Sequence, residues 1–391
     1  MKVSRLPRIM LRLWYALAFT LVFFALIATL TRLLTPRLNV YKPLLEKVAS
    51  QLIKRPVHVD RLRLSWAGIY PQVILVHVQV FDPKKPLSIQ LAVREVRANV
   101  DLFRSLFSRQ WTLHEIAIRD THIEVHSSAK GEVTINGLLI GKSSHQLQPA
   151  SDFDYQHVIS RLLQQHKLSI SDVTIDWYRD QQHIPLTLQQ LVLINTWNDH
   201  VLYGAISTTM RQIPASLAFS LTMTGDIFND PAHLRASFYA RVNHLNVSQW
   251  GYHPVIFGYR LMQGALDGGV WAQWENGGID LIQSLLTLSD LRLFSETARK
   301  MLPVDKLSGN FLWKPETQGW SVLGDRIQLT AGHDTWPDNA FYLHMGFDGA
   351  EPQQILWVKN ISLENLNRLL QGSSLVDEVW MKSLAQIQPT C

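Results

Sequence analysis

The stretch QVILVHVQVF, residues 72–81, decides the fold class because its side chains alternate with a period of two. Successive side chains of a β-strand point to opposite faces, so this alternation predicts a strand with two distinct faces. The strictly apolar face contains Ile74, Val76, Val78 and Val80. The mixed face contains Val73, Leu75, His77, Gln79 and Phe81. The same period dominates the chain from Val57 onward, which predicts a mainly β protein.

A loose repeat extends this pattern along the chain, in the form apolar-x-apolar-x-x-apolar-x-apolar. Its copies begin at Val57, Trp111, Leu168, Leu186, Leu286 and Leu356. An alternation that skips one residue changes faces, so each copy predicts a bulge, a bend or a strand that leaves one sheet for another. The uneven spacing of the copies argues against a short-period solenoid.

Three segments have helical spacing instead, at residues 43–54, 151–166 and 364–387. Pro43 suits a first helical turn, and Pro56 prevents the helix from continuing. We therefore expect an exported region, residues 38–391, that begins with a helix, continues with strands from residue 57 and contains two later helical segments.

The N-terminal region is typical of a membrane anchor. The uncharged run 13–31 has 19 residues and would span about 28 Å as a helix, close to the thickness of a bilayer's hydrocarbon core. The basic tail, residues 1–12, is expected in the cytoplasm and the rest of the chain across the membrane. A cleaved signal peptide would have a shorter run and a small-x-small site, and a buried core helix would have polar interruptions. The expected anchor residues are Arg8, Arg12, Trp14, Tyr15 and Arg32.

The net charge of +5 comes from this region, because the first 45 residues contain seven basic and no acidic side chains. The remaining chain has 30 basic and 32 acidic residues, so it lacks the basic excess of a nucleic-acid-binding protein. The single cysteine, Cys391, allows no intramolecular disulfide. The 13 tryptophans and the charged fraction of 18% indicate apolar surface in contact with lipid or, alternatively, a well-filled β-rich core.

The sequence contains no pattern of a catalytic or metal site. His114 lacks a second histidine four residues later, so it is not part of a zincin helix. His122 and His126, like Asp172 and Asp176, are four residues apart on predicted strands, where they would lie about 13 Å apart. No phosphate-binding loop or nucleophile motif is present. We therefore expect a protein that is not an enzyme and that uses no cofactor or metal.

Several short motifs carry a family resemblance. They are RLPR (5–8), KRPVHVDRLRLSW (54–66), LDGGVWAQWEN (266–276), LSGNFLWK (307–314) and WSVLGDRIQLTAGHDTWP (320–337). With the single apolar run before them, these motifs resemble the AsmA-like family of Gram-negative envelopes, and most closely its YhdP branch. The similarity covers the whole chain.

The resemblance implies an N-terminal transmembrane helix, then a long curved antiparallel β-sheet of the repeating β-groove type, open along one side, with a few short helices. Such a fold is similar to the chorein-type bridge proteins and implies passage of phospholipid between the inner and outer membranes, in outer-membrane biogenesis. The implied location is the inner membrane, with the bulk of the chain in the periplasm. The implied partners are membrane lipids and a second envelope protein that completes the bridge, and no catalytic residue is implied.

Lipid transfer gives a physical reason for such a groove. Exposure of an acyl chain to water costs about 0.8 kcal/mol per CH₂, or roughly 12 kcal/mol for sixteen carbons. An apolar groove removes this cost while the headgroup stays in water. The candidate groove residues are Ile74, Val76, Val78, Val80, Leu87, Ile89, Leu91 and Val93. Alternatively, these faces pack on another sheet or helix.

Two other functions remain open from the sequence. One is a non-transporting envelope scaffold or assembly modulator with a packed β-core. The other is a tethered carbohydrate-active enzyme, an idea that rests only on the many tryptophans. Members of the YhdP branch are usually far longer than this chain. We therefore expect a truncated reading frame, an N-terminal piece that works with a second polypeptide, or a diverged short form.

Overall fold

The structure is a computed structural model of the 391-residue chain. It describes residues 10, 11, 13–22, 25, 29, 38–142 and 165–360, apart from gaps at 54, 83–84, 109–111, 129–131, 137, 180–181, 211–212, 227–229, 248–252, 254, 257–258, 296–298, 333, 336–337 and 349–350. Within these residues the protein is mainly β, with 19 strands in an open antiparallel sheet and few helices. The chain divides into two compact units, Met1–Thr121 and His122–Cys391.

The first unit contains two helices and the first strands of the sheet. Apart from the helical residues between 10 and 29, they are α1 (Leu38–Ile53), β1 (Val57–Ala67), β2 (Tyr70–Asp82), β3 (Lys85–Val100), α2 (Leu102–Ser108) and β4 (Leu113–Ser127), whose last residues belong to the second unit. β1 pairs antiparallel with β2, and β2 with β3. β4 is the next strand of the sheet.

Helix α1 packs on β1–β3 and covers the outer edge of β1. The buried cluster at this site contains Val57, Val59, Val78, Val80 and Val93. Ala49 of α1 packs against it. The backbone N–H of Val57 donates to Ser50 Oγ at 2.9 Å. The backbone N–H of Val59 donates to Glu46 Oε1 at 2.8 Å. Because an unpaired strand edge is a template for association with other chains, α1 protects this edge of the sheet.

The second unit contains the remaining strands. They are β5 (Glu132–Ile135), β6 (Leu138–Lys142), β7 (Lys167–Arg179), β8 (Gln182–Asn195), β9 (Asp199–Met210), β10 (Ile213–Thr224), β11 (Arg235–Asn246), β12 (Val255–Ile256), β13 (Tyr259–Glu275), β14 (Gly278–Ser295), β15 (Met301–Glu316), β16 (Gly319–Ala331), β17 (Asp334–Thr335), β18 (Asn339–Asp348) and β19 (Glu351–Val358). One short 3-10 helix, Pro231–His233, lies between β10 and β11.

The long strands from β7 to β19 form an antiparallel meander, in which each long strand pairs with the next one along the chain. The short strands β12 and β17 pair with β13 and β16. A two-residue Asn276-Gly277 turn joins β13 to β14, and both residues have positive φ, as the favoured hairpin turn requires. Local hairpins therefore build this unit.

Several strands bend at a single residue whose backbone φ is positive. These residues are His77, Asp120, Asp172, His244, Asp290 and Arg326. Asp172 and Asp290 occupy skipped positions of the loose sequence repeat. A further copy has a register shift between Leu188 and Gln190. The predicted bends or bulges are therefore confirmed for these copies.

The bends keep the apolar side chains of a strand on one face. In β14, Leu291 is buried, and Leu288 and Leu293 pack in the same cluster on either side of the bend at Asp290. In β11, the backbone N–H of His244 donates to Asp267 Oδ1 at 2.8 Å. A left-handed conformation costs a non-glycine residue about 1–2 kcal/mol, and this hydrogen bond to a carboxylate offsets that cost.

The first predicted helix is present but begins earlier than expected, at Leu38 instead of residue 43. Pro43 therefore lies inside the helix, and because it is exposed, water can bond the carbonyl that its missing N–H leaves free. Of the run 13–31, residues 13–22, 25 and 29 are described and are helical, and the others lie outside the described residues. Within the described part of the chain, no helix has the length and apolar character needed to cross a membrane. Of the predicted helix at 151–166, residues 151–164 lie outside the described residues, and residues 165 and 166 are bends instead of helix. The predicted helix at 364–387 also lies outside the described residues.

Candidate functional site

Cross-strand pairing in the second unit aligns apolar side chains in rows that run perpendicular to the strands. Directly paired residues share a face of an antiparallel sheet, so each row can be followed from strand to strand. The first row contains Leu168, Leu193, Leu202, Leu221, Phe238, Ala272, Ile282, Trp313, Val322, Leu343 and Leu356. The second contains Ile170, Leu191, Gly204, Phe219, Ala240, Val270, Ser284, Phe311, Gly324, Phe341 and Val358.

Two further rows extend the same face toward the bends. The third row contains Val173, Leu188, Ile206, Leu217, Val242, Gly268, Leu286 and Gly309. The fourth contains Leu245, Leu266, Leu288, Leu307 and Leu329. We call these four rows the apolar face. None of its residues is charged, and at about 4.8 Å per strand its first two rows run for about 48 Å.

The apolar face is only partly buried. Most side chains of the first two rows are half-buried, Phe238 is 37% exposed and Leu356 is 67% exposed. Among the described residues of this unit, only Pro231–His233 and Val247 are helical, so no described helix forms a second layer over the face. A single layer leaves a broad apolar surface in contact with solvent. Monomeric soluble proteins rarely expose such a surface unless it binds something.

Glycines opposite phenylalanines keep the apolar face level. A Cβ atom at Gly204 would lie 2.9 Å from the ring of Phe219. A Cβ atom at Gly324 would overlap the ring of Phe341. In both pairs the ring therefore lies over the neighbouring glycine. At these two places the face is level, which suits a long flexible ligand better than a compact one.

The opposite face of the unit is mixed in character. Tyr239 and Trp271 pack with ring centroids 5.0 Å apart. Next to them is a cleft of about 280 Å³, lined by Leu285, Asn310 and Leu312 among others. Typical small-molecule sites have volumes of about 300–1,000 Å³, so this cleft is small even for such ligands.

A group of histidines and carboxylates lies across β4, β7 and β8. His183 Nε2 lies 2.6 Å from Asp176 Oδ1, and His122 Nε2 lies 3.4 Å from Asp176 Oδ2. Glu124 lies 3.8 Å from His122 and 3.9 Å from His126. Along a single strand, residues four positions apart are too distant to act together. Pairing between strands instead brings residues of different strands close to one another. Within the described residues, no group of histidine, cysteine and acidic side chains has the arrangement of a metal site.

The structure does not place all the candidate groove residues on one face. Val78 and Val80 lie in the buried cluster of the first unit, and so does Val93. Leu91 packs against this cluster. Their face is partly covered by α1, as one alternative from the sequence allowed. Val78, Val80, Leu91 and Val93 therefore lie together on one face of the first unit.

Ile74 and Val76 lie on the other face, which corrects the expectation of one face for residues 74–80. Ile74 pairs with Arg63 and Arg97, and Val76 pairs with Arg61 and Glu95. The physical reason is the positive φ of His77, which reverses the alternation. On the N-terminal side of the bend, Leu75 lies on the same face as Val78 and packs against its cluster.

The first copy of the sequence repeat contains a signal for this reversal, because its alternation skips a residue between Val59 and Leu62. In β1, Val59 and Leu62 are both buried although they are three residues apart. Val59 pairs with Val78 and Leu62 with Leu75, so β2 must reverse at the same level. Residues 73–76 of β2 are all apolar, so the alternation does not show the reversal in that part of the strand.

The other candidates have different surroundings. Ile89 lies beyond a register shift in β3 and is 50% exposed. Leu87 belongs to β3, but its side chain lies outside the described part of the structure. Of the anchor residues, Trp14 and Tyr15 are exposed on a helical stretch. Arg8, Arg12 and Arg32 lie outside the described residues.

An open antiparallel sheet with an uncharged, partly exposed face defines the class of the second unit, a single-layer β-protein with a broad apolar surface. The family model described as "YhdP protein" matches residues 1–391, so the chain belongs to the YhdP family. The family resemblance found in the sequence is therefore confirmed. No curated protein and no solved structure matches the chain.

Proposed function

We propose that this protein shields phospholipid acyl chains along the apolar face and conducts them between the inner and outer membranes. The observation that supports the proposal is that this face contains no charged residue and yet is partly exposed. Most side chains of these four uncharged rows stay partly open to solvent, with Val173 and Leu188 as buried exceptions, although burial of such a surface would be strongly favourable. A ligand with long hydrocarbon chains would supply that burial.

The energetics favour acyl chains as this ligand. Exposure of a sixteen-carbon acyl chain to water costs about 12 kcal/mol, and contact with the apolar face would remove this cost. Along β14, the distance from Ile282 to Leu288 corresponds to about 20 Å at the rise of a strand, so the face is wide as well as long. The charged headgroup would stay in water at the margin of the face, because the rows offer no charged partner.

The proposed location is the inner membrane, with residues 13–31 as the span and the units after residue 38 in the periplasm. The basic N-terminal tail supports this orientation, since positive residues favour the cytoplasmic side. Proposed partners are membrane lipids and a second envelope protein that continues the path. We propose no enzymatic activity and no cofactor, since movement of a lipid along an apolar surface breaks no covalent bond.

Site-specific photocrosslinking in cells tests this proposal. A benzophenone side chain would replace Phe238 on the apolar face and, as the matched control, its neighbour Tyr239 on the opposite face. Both changes replace one aromatic ring with another. We expect phospholipid adducts at position 238 and few or none at position 239, detected by mass spectrometry. Equal adducts at both positions, or adducts at 238 only to protein, would favour a scaffold with a covered face.

A further inference from the structure

Helix α2 presents large apolar side chains to solvent. Phe103 is 55% exposed, Leu106 is 76% exposed and Phe107 is 85% exposed. The helix has seven residues, so it is too short to be stable by itself. The surrounding chain must therefore hold it in place, and the hydrogen bonds at its start show how.

Three hydrogen bonds fix the orientation of α2. Asp101 Oδ1 accepts from the backbone N–H of Arg104 at 2.9 Å, as an N-cap residue does. The carbonyl of Asp101 accepts from the backbone N–H of Ser105 at 2.9 Å. Ser105 Oγ accepts from the backbone N–H of Thr112 at 2.9 Å. Because Ser105 is bonded to the strand that follows, the other side of the helix must face solvent.

A second exposed apolar residue lies at the same end of the strands. The turn between β1 and β2 contains Ile69, which is 53% exposed. Gln72, just after this turn, pairs with Asn99, just before α2. The turn and the helix are therefore neighbours at one end of the sheet in the first unit. We call Ile69, Phe103, Leu106 and Phe107 the strand-end surface.

The N-terminus of helix α1 points toward this same end. Ser50 bonds Val57 at the start of β1, and Glu46 bonds Val59. Lys42 Nζ lies 3.5 Å from the carbonyl of Asp60. The helix therefore runs antiparallel to β1, and its first residue points toward the end of β1 that carries the turn. The apolar run 13–31 precedes α1 in the chain, and the first residue of α1 is at the end of this helix that is nearer to the strand-end surface.

We propose that the strand-end surface rests on the membrane that holds the apolar run, an inference that relies on the proposed membrane location. Aromatic and leucine side chains enter the interfacial layer of a bilayer favourably. Arg104 is the one charged residue of α2 and is exposed, which suits contact with the phosphates of anionic headgroups. Four large apolar side chains and a cation would then hold the first unit against the bilayer, beside its anchor.

Fluorescence quenching in vesicles tests this contact with the full chain. Cys391→Ser removes the native thiol, and Phe107→Cys supplies a site for an environment-sensitive NBD label. The protein is reconstituted into vesicles of phosphatidylethanolamine and phosphatidylglycerol. Matched labels are placed at Trp197→Cys, in a fully exposed turn of the second unit, and at Leu21→Cys, in the apolar run.

We expect a several-fold stronger emission at position 107 than at position 197, with quenching by doxyl-labelled lipid and little quenching by aqueous iodide. Quenching by iodide at 107, or protection from both quenchers through contact with a second copy of the chain, would overturn the inference. The label at position 21 separates the two proposals. Lipid quenching at 21 without lipid quenching at 107 refutes the surface contact alone, whereas no lipid quenching at either position refutes the proposed location as well.

Discussion

The substitution Leu221→Asp separates lipid binding from folding. Leu221 lies in the first row of the apolar face, between Leu202 and Phe238, and is half-buried. In the protein without bound lipid, the new carboxylate can reach water. The cost to folding is then the lost burial of the part of the leucine side chain that the sheet already covers, about 1–3 kcal/mol.

An acyl chain at this position would lose its contact with Leu221 and would have to desolvate a carboxylate or avoid it. Burial of a polar group without a partner costs at least about 1.5–3 kcal/mol, and each 1.4 kcal/mol changes an affinity tenfold. We therefore predict roughly 10- to 150-fold weaker lipid binding, measured by titration with a fluorescent fatty-acyl phospholipid. The neighbour Thr222 lies on the opposite face and is exposed, so Thr222→Asp is the matched control with nearly unchanged binding.

The same substitution tests the scaffold alternative through stability. If protein covers the face, Leu221→Asp buries an unpaired charge, and the free energy of unfolding falls by several kcal/mol. Urea unfolding of the two variants measures this quantity. A large loss of stability with unchanged lipid binding would refute the reasoning that the face is open for lipid.

Two more predictions concern stability. Glu46→Ala leaves the backbone amide of Val59, at the edge of β1, without its acceptor and should lower the free energy of unfolding by about 1–3 kcal/mol. Lys47→Ala, on the exposed side of α1, should have little effect. Equal urea midpoints for the two variants would contradict the protection of this edge by α1. Gly324→Ala forces a methyl group against the ring of Phe341 and should lower the free energy of unfolding by about 1–3 kcal/mol, measured by thermal unfolding. Gly278→Ala is the control, because a methyl group at Gly278 meets only open space. Unchanged stability of Gly324→Ala would show that the ring does not lie over the glycine.

The sequence was sufficient to predict the class of fold and the positions of several bends. The period of two follows directly from strand geometry, and the skipped positions at Asp172 and Asp290 correspond to residues with positive φ. These features depend on one strand at a time, so they can be read from neighbouring residues.

The remaining features depend on pairing between strands. The reversal at His77 separates Ile74 and Val76 from Val78, and it is detectable only when β2 is read against β1. The rows of the apolar face also require the register of every long strand. The best candidate site therefore lies in the second unit, away from the residues that the sequence had indicated.

Native mass spectrometry of the purified full chain, with identification of the extracted lipids, tests the central claim most directly. We predict phospholipids that remain bound through washing and that are depleted in Leu221→Asp but not in Thr222→Asp. A folded wild-type protein with a lipid-free mass, under conditions that preserve other lipid complexes, would contradict the claim that the apolar face carries acyl chains.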